Sequence, residues 1–226
     1  MKHLILILFI FFYSYNSWSI TIPKDGKATF DFIRKNKNIG SITSIFTEED
    51  NKLKIHTIVD IKVKVLFIPA YKFFQETTEI WKDNELIEIV GFTDFEDERE
   101  YHIKGKDKED NFIASGMDGE LILDKSIITL NYWNKNTLNQ KEVFDTQKGI
   151  VREISVNKLE NEIININDLK LDSEKYTLNA SKNPKDLNPF PEYTLWYYKD
   201  ELIKFLFKNP KDKKIVTAIR SNWNNN

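Results

Sequence analysis

The chain has no cysteine among its 226 residues. That removes every thiol nucleophile, thiolate ligand and disulfide, so the fold must stand on its core. Glycine is scarce, at seven residues, and none are clustered. Loops that cradle phosphates or dinucleotides need such clusters, so neither is expected. There is no G-x-S-x-G elbow either. Of three histidines, His56 and His102 lie outside the N-terminal leader and lack ligand spacing. A zinc site takes three or four ligands, so no metal and no cofactor are expected. The acidic run Asp94-Phe95-Glu96-Asp97-Glu98 lacks the glycine and regular oxygen spacing of a calcium loop. It reads as a solvated hairpin tip. Charge of one sign is missing too: 33 Lys and Arg face 35 Asp and Glu. A nucleic-acid binder usually carries a basic stripe, so no nucleic-acid partner is expected.

Long apolar runs are absent except at the start. Met1-Lys2-His3 is a short basic region, Leu4 to Tyr13 is almost wholly apolar, and Ser14 to Ser19 is polar apart from Tyr15 and Trp18. This is the layout of a secretory signal peptide, and Ser17-Trp18-Ser19 fits the small-x-small cleavage rule after Ser19. The apolar run is about half the ~20 residues that a spanning helix needs. No cysteine follows it to carry a lipid anchor, and no second run is long enough to span a bilayer. The expected division is a signal peptide over 1–19 and one β-rich domain over 20–226. The expected location is the periplasm or the exterior. Loss of Lys2 would take the formal charge from −2 to −3.

Alternation dominates what remains. Leu53, Ile55, Thr57, Val59, Ile61, Val63, Val65 and Phe67 hold the odd positions, with Lys54, His56, Asp60, Lys62 and Lys64 between them. Period two with β-branched residues marks a strand with one buried face. Such a strand would reach roughly 45 Å at about 3.3 Å per residue, a length found in twisted, curved sheets relieved by bulges. Strands are predicted at Ala28–Lys35, Ile39–Thr47, Leu53–Phe67, Tyr71–Trp81, Leu86–Thr93, Arg99–Lys104, Phe112–Ser115 and Glu120–Leu123. More follow at Ile150–Asn157, Lys170–Asn179, Tyr193–Tyr198, Leu202–Phe207 and Ile215–Ser221. Short polar links rich in Asn and Asp connect them, as antiparallel neighbours require. The expected fold is mostly β, an antiparallel meander of long, strongly curved strands forming an open or partial barrel, with little helix. Ser126–Leu138 reads as strand or extended chain, and Lys182–Pro191, with three prolines, as a loop.

Aromatics are the positive feature. Trp81, Trp133, Tyr193, Trp196, Tyr197, Tyr198, Phe205 and Phe207 spread over separate strands. Trp196 and Tyr198 share one face of their strand, and Tyr193, Leu195 and Tyr197 the other. A strand apolar on both faces is covered on both sides or lines a cavity. Both plain core and an aromatic groove for an apolar ligand fit.

Several short segments carry a resemblance. They are Ile68-Pro69-Ala70-Tyr71, then Thr78 to Leu86, Asn131-Tyr132-Trp133-Asn134, Asp145 to Gly149, and Leu195-Trp196-Tyr197-Tyr198. In this order they resemble an exported bacterial family of unknown function, family 6134, from about Ala28 to the end. The family's last motif tends to read Leu-Trp-Tyr-Asp, and Tyr198 stands here in place of the Asp. Where Asn84 lies the family tends to have Gly, and Asn fills the same turn. The resemblance implies a β-rich exported domain and draws attention to Glu79, Trp81, Trp133, Asn134, Asp145 and Trp196. It implies no activity.

Two classes of function follow. In one, a curved sheet binds a lipid, another apolar molecule or an envelope partner, with Trp81, Trp133, Asn134, Trp196 and Tyr198 as candidate ligand contacts. In the other, an envelope hydrolase uses Glu79 and Asp145, which would then share a polar cleft about 5–10 Å across. A third reading is a purely structural envelope protein with no small ligand, which the sequence does not separate from the first.

Overall fold

The computed structural model describes residues 19–65, 68–95, 100–187, 190–209 and 212–223. Residues 1–18 of the expected signal peptide, Leu66 and Phe67 of an expected strand, Arg99 of another and 96–98 of the acidic run lie outside them. The fourteen strands among the described residues are β1 (Lys27–Arg34), β2 (Lys37–Glu49), β3 (Lys52–Val65), β4 (Ile68–Lys82), β5 (Glu85–Phe95), β6 (Glu100–Lys108) and β7 (Asn111–Gly116). They continue as β8 (Gly119–Asp124), β9 (Glu142–Asp145), β10 (Ile150–Ile166), β11 (Leu169–Ala180), β12 (Tyr193–Tyr198), β13 (Glu201–Lys208) and β14 (Ile215–Arg220). All pair antiparallel in one sheet, ordered 8-7-6-5-4-3-2-1-14-13-12-11-10-9.

Local chemistry sets the hairpins. Five of them among the described residues turn through two positions of positive φ: Lys35-Asn36, Asp50-Asn51, Asp83-Asn84, Asn167-Asp168 and Lys199-Asp200. Two positive φ values define the tight turn whose twist matches paired strands, and Asn and Asp tolerate them best. Alternation sets the buried face: in β6, Tyr101, Ile103 and Gly105 are buried and their neighbours exposed. Length is relieved by bulges, at Val63/Lys64 between β3 and β4 and at Ile80/Trp81 between β4 and β5.

Three features differ from the expected meander. Strand β1 pairs with β14, so two meanders meet at the terminal strands, a long-range pairing that local pattern does not encode. Strand β10 runs on to Ile166 through the exposed stretch Lys158–Asn161, where a bulge near Leu159/Glu162 hides the alternation. Cross-strand ion pairs hold that extension, Lys158 to Glu174 at 2.8 Å and Lys175 to Glu162 at 2.7 Å. Strand β9 is four residues long with Val143, Phe144 and Asp145 all buried, too short to show a period.

The sheet does not close into a barrel; β8 and β9 are its edges. Residues 125–141 join those edges and form a strap across one end of the curved sheet. Its amide at Leu130 donates to Phe144 O at 2.7 Å, and Lys135–Asn139 form a short 3-10 turn. Tyr197 Oη donates to Tyr132 O at 2.6 Å, tying the strap to β12. At this end, Phe46, Leu53, Trp81 and Leu86 fill the interior. Ile20 joins the same cluster, 2% exposed, and Asn136 Nδ2 donates to Ser19 O at 3.0 Å.

At the other end the two halves touch through glycines. The Met117 amide of the β7–β8 hairpin donates to Lys148 O at 2.7 Å. A Cβ on Gly116 would lie 2.5 Å from Gly149 Cα, so only glycine permits this approach. Gly116→Ala is expected to cost about 2 kcal/mol by overpacking. It should also speed hydrogen exchange at the Met117 amide, read by mass spectrometry.

Candidate functional site

Between the strap and the glycine contact, the inner face is open. A cavity of about 610 Å³ lies there, walled by β1–β5, β9, β10 and β12–β14, the strap, the turn after β9 and the loop after β11. Its walls carry Phe30, Phe32, Val59, Ile61, Phe73, Tyr193, Phe205 and Phe207. The ring pairs Phe32–Phe205 at 5.8 Å and Tyr132–Tyr193 at 4.5 Å fix several of these side chains. The uncharged polar side chains on the walls are largely satisfied within the protein. Ser44 and Thr57 hydroxyls meet at 2.8 Å, and Gln75 Nε2 donates to Thr146 O at 2.9 Å. Paired groups of this kind ask nothing of a ligand, so the interior suits an apolar body.

One wall carries a buried ion cluster. Arg152, on the inner face of β10, donates through Nε to Asp145 Oδ2 at 2.6 Å and through Nη1 to Asp186 Oδ2 at 2.9 Å. Lys148 reaches Asp186 Oδ1 at 3.0 Å. Among the described residues, two cations therefore face two carboxylates. Burial opposes the charge on Arg152, yet Asp145 and Asp186 hold its pKa above the ordinary arginine value. Burial likewise opposes the charge of Asp186, but Arg152, the Asn183 amide and Lys148 keep its pKa below the usual carboxylate value. Arg152 also holds the loop's backbone, its Nη1 donating to Ser181 O at 2.8 Å, and its guanidinium lies 4.9 Å from the centre of the Phe190 ring. The cluster thus pins the loop that forms part of the cavity wall.

Glu79 sits deeper, beneath the strap and outside the cavity walls. Its carboxylate accepts from Trp81 Nε1 at 3.0 Å, from Thr129 Oγ1 at 2.9 Å and from Asn131 Nδ2. Burial pushes its pKa up to about 7, against the pull of those three donors. The group holds strap to sheet.

The other candidates divide between the two faces. Trp133 lines the cavity, edge-on to Phe46 at 5.5 Å, and its buried indole N–H has no hydrogen-bond partner among the described residues. Asn134 is buried beside it but caps the 3-10 turn, its Oδ1 accepting from the Asn136 amide at 3.1 Å. Trp81 belongs to the filled end. Trp196 and Tyr198 lie on the opposite face of β12, packed with Ile164, Leu171, Ile203 and Trp223 in a separate cluster. The two faces of β12 are covered by different partners, and alternation alone does not say which face is inner. Glu79 and Asp145 do not flank a common opening: Asp145 is on the cavity wall and bound to Arg152, Glu79 is under the strap. Sequence reasoning missed Gln75, Lys148, Arg152, Asp186, Arg34 and Lys214, all on the cavity walls. Arg152 had a signal, since it occupies the apolar face of its strand between Ile150 and Ile154.

Residues 30–220 match the family described as domain of unknown function DUF6134. The chain belongs to that family. A search of curated proteins returns no match. Among solved structures, a β-barrel-like protein of domain of unknown function DUF1849 from Brucella abortus superposes with a TM-score of 0.59 at 13% identity. The alignment covers 86% of this chain and 94% of that one. At that identity the likeness concerns the fold alone, and it agrees with a DUF6134 sheet curled into a nearly closed barrel.

Proposed function

We propose that this DUF6134 protein is an exported single-domain binding module that holds an apolar or lipid-like molecule inside its curled sheet. The observation that carries the reading is the 610 Å³ cavity, apolar over most of its wall, with the part-exposed Arg34, Asp212 and Lys214 among its lining. Ligand sites of small molecules commonly have this size and character. A buried methylene contributes about 0.8 kcal/mol, so roughly ten of them offer about 8 kcal/mol before ordering costs. Export rests on the leader ending at Ser19. No helix among the described residues is long and apolar enough to cross a membrane.

A fluorescent fatty-acid probe tests the binding reading. Wild-type protein should take up about one equivalent of probe per chain. Val59→Trp, which places an indole in the cavity from β3, should abolish uptake while unfolding remains cooperative. Failure of the wild type to take up probe, or equal uptake by both proteins, would contradict it.

A further inference from the structure

The mouth of the cavity is chemically unlike its walls. It is framed where β1 ends and β14 begins, and there Arg34 and Lys214 both stand on the cavity wall. They share one carboxylate. Arg34 Nη2 pairs with Asp212 Oδ2, and Lys214 Nζ lies 3.5 Å from the same oxygen. Arg34 Nε is buried and meets no acceptor among the described residues. Lys35 follows in the adjacent hairpin and is pushed below the ordinary lysine value by its hydrogen-bonding approach to Lys214 and by that ammonium's charge. Cations are thus crowded at this lip beyond what Asp212 neutralises. Deeper on the wall the balance is different, because among the described residues Arg152 and Lys148 are matched by Asp145 and Asp186.

We infer that the ligand is an amphiphile with an anionic head, its chain in the cavity and its head between Arg34 and Lys214. The inference rests on the cavity reading above and names the ligand's class. An excess of cations at the mouth of an apolar cavity is stabilised by an oxygen anion that arrives with an apolar body. Arg offers a fork of donors to a carboxylate or a phosphate, and Lys adds a point charge. A neutral amphiphile would leave the Arg34 donor unmet.

The test compares hexadecanoate, hexadecyl phosphate and hexadecanol as competitors of the fluorescent probe at neutral pH. The two anions should compete about tenfold better than the alcohol, the margin expected of a charge-assisted hydrogen bond. Whichever anion competes better distinguishes a carboxylate from a phosphate head. Arg34→Gln combined with Lys214→Gln should remove that margin and leave hexadecanol unchanged. Asp212→Asn, which frees both cations, should widen it, and this gain keeps the test decisive if the double variant folds poorly. Equal competition by acid and alcohol would overturn the inference and leave the cavity reading standing. An anion preference that neither variant alters would overturn the placement of the head. Absence of any competition or uptake would overturn the cavity reading itself.

Discussion

Arg152→Leu is expected to destabilise the protein by about 3–5 kcal/mol, as removal of one partner from a buried ion cluster does. Arg152 is 2% exposed and is the only residue joining Asp145 on the sheet to Asp186 on the loop among the described ion pairs. Its loss leaves Asp145 without its cation among the described ion pairs, leaves Asp186 with Lys148, and frees the Ser181 carbonyl. The consequence reaches the site, because Asp186, Phe190 and Pro191 form part of the cavity wall. Urea unfolding should show the loss. Hydrogen exchange should show new exposure concentrated in 181–191, together with weaker probe uptake. Unchanged stability, with the loop still protected, would contradict the role assigned to the cluster.

Glu79 gives the second large effect, and it depends on pH. Its pKa rises from 4.5 unfolded to about 7 folded because burial disfavours the charge. Between those values the folded chain holds a proton that the unfolded chain has released. The folded state binds more protons there, so stability falls as pH rises from about 4.5 to about 7 and then levels. A shift of this size corresponds to about 3 kcal/mol. Glu201, half-buried near Arg220, is shifted in the same direction and adds to the slope. Glu79→Gln should flatten most of it. Glutamine's carbonyl still accepts from Trp81 and Thr129, and its amide faces Asn131, which can turn its own amide over to accept. Thermal unfolding of both proteins at pH values across that window checks this. An equally steep wild-type slope in the variant would remove Glu79 as the cause.

The hairpins were legible because each depends on a few neighbouring residues. Asn36, Asn51 and Asn84 announce positive φ, and the alternation from Leu53 to Val65 announces a single buried face. The β1–β14 pairing was not legible, since it joins residues nearly the whole chain apart. Nor was β9, whose two apolar residues show no period. For the site, alternation grouped Trp196 with Tyr198 correctly but was silent on which side faces inward, and the structure puts both outside. The clearer signals were charges out of place. Glu79 lies between Thr77 and Trp81 on a buried face, and Arg152 between Ile150 and Ile154. A charge on a buried face demands a partner, and those partners, Thr129, Asn131, Asp145 and Asp186, locate the strap and the loop that bound the cavity.

The most direct measurement is the native mass of the protein purified from the envelope of its own cells. The expected result is a chain beginning at Ile20 that carries a small-molecule adduct, lost on denaturation and extractable into organic solvent. A mass equal to the bare polypeptide, from protein that also refuses the fatty-acid probe, would contradict it.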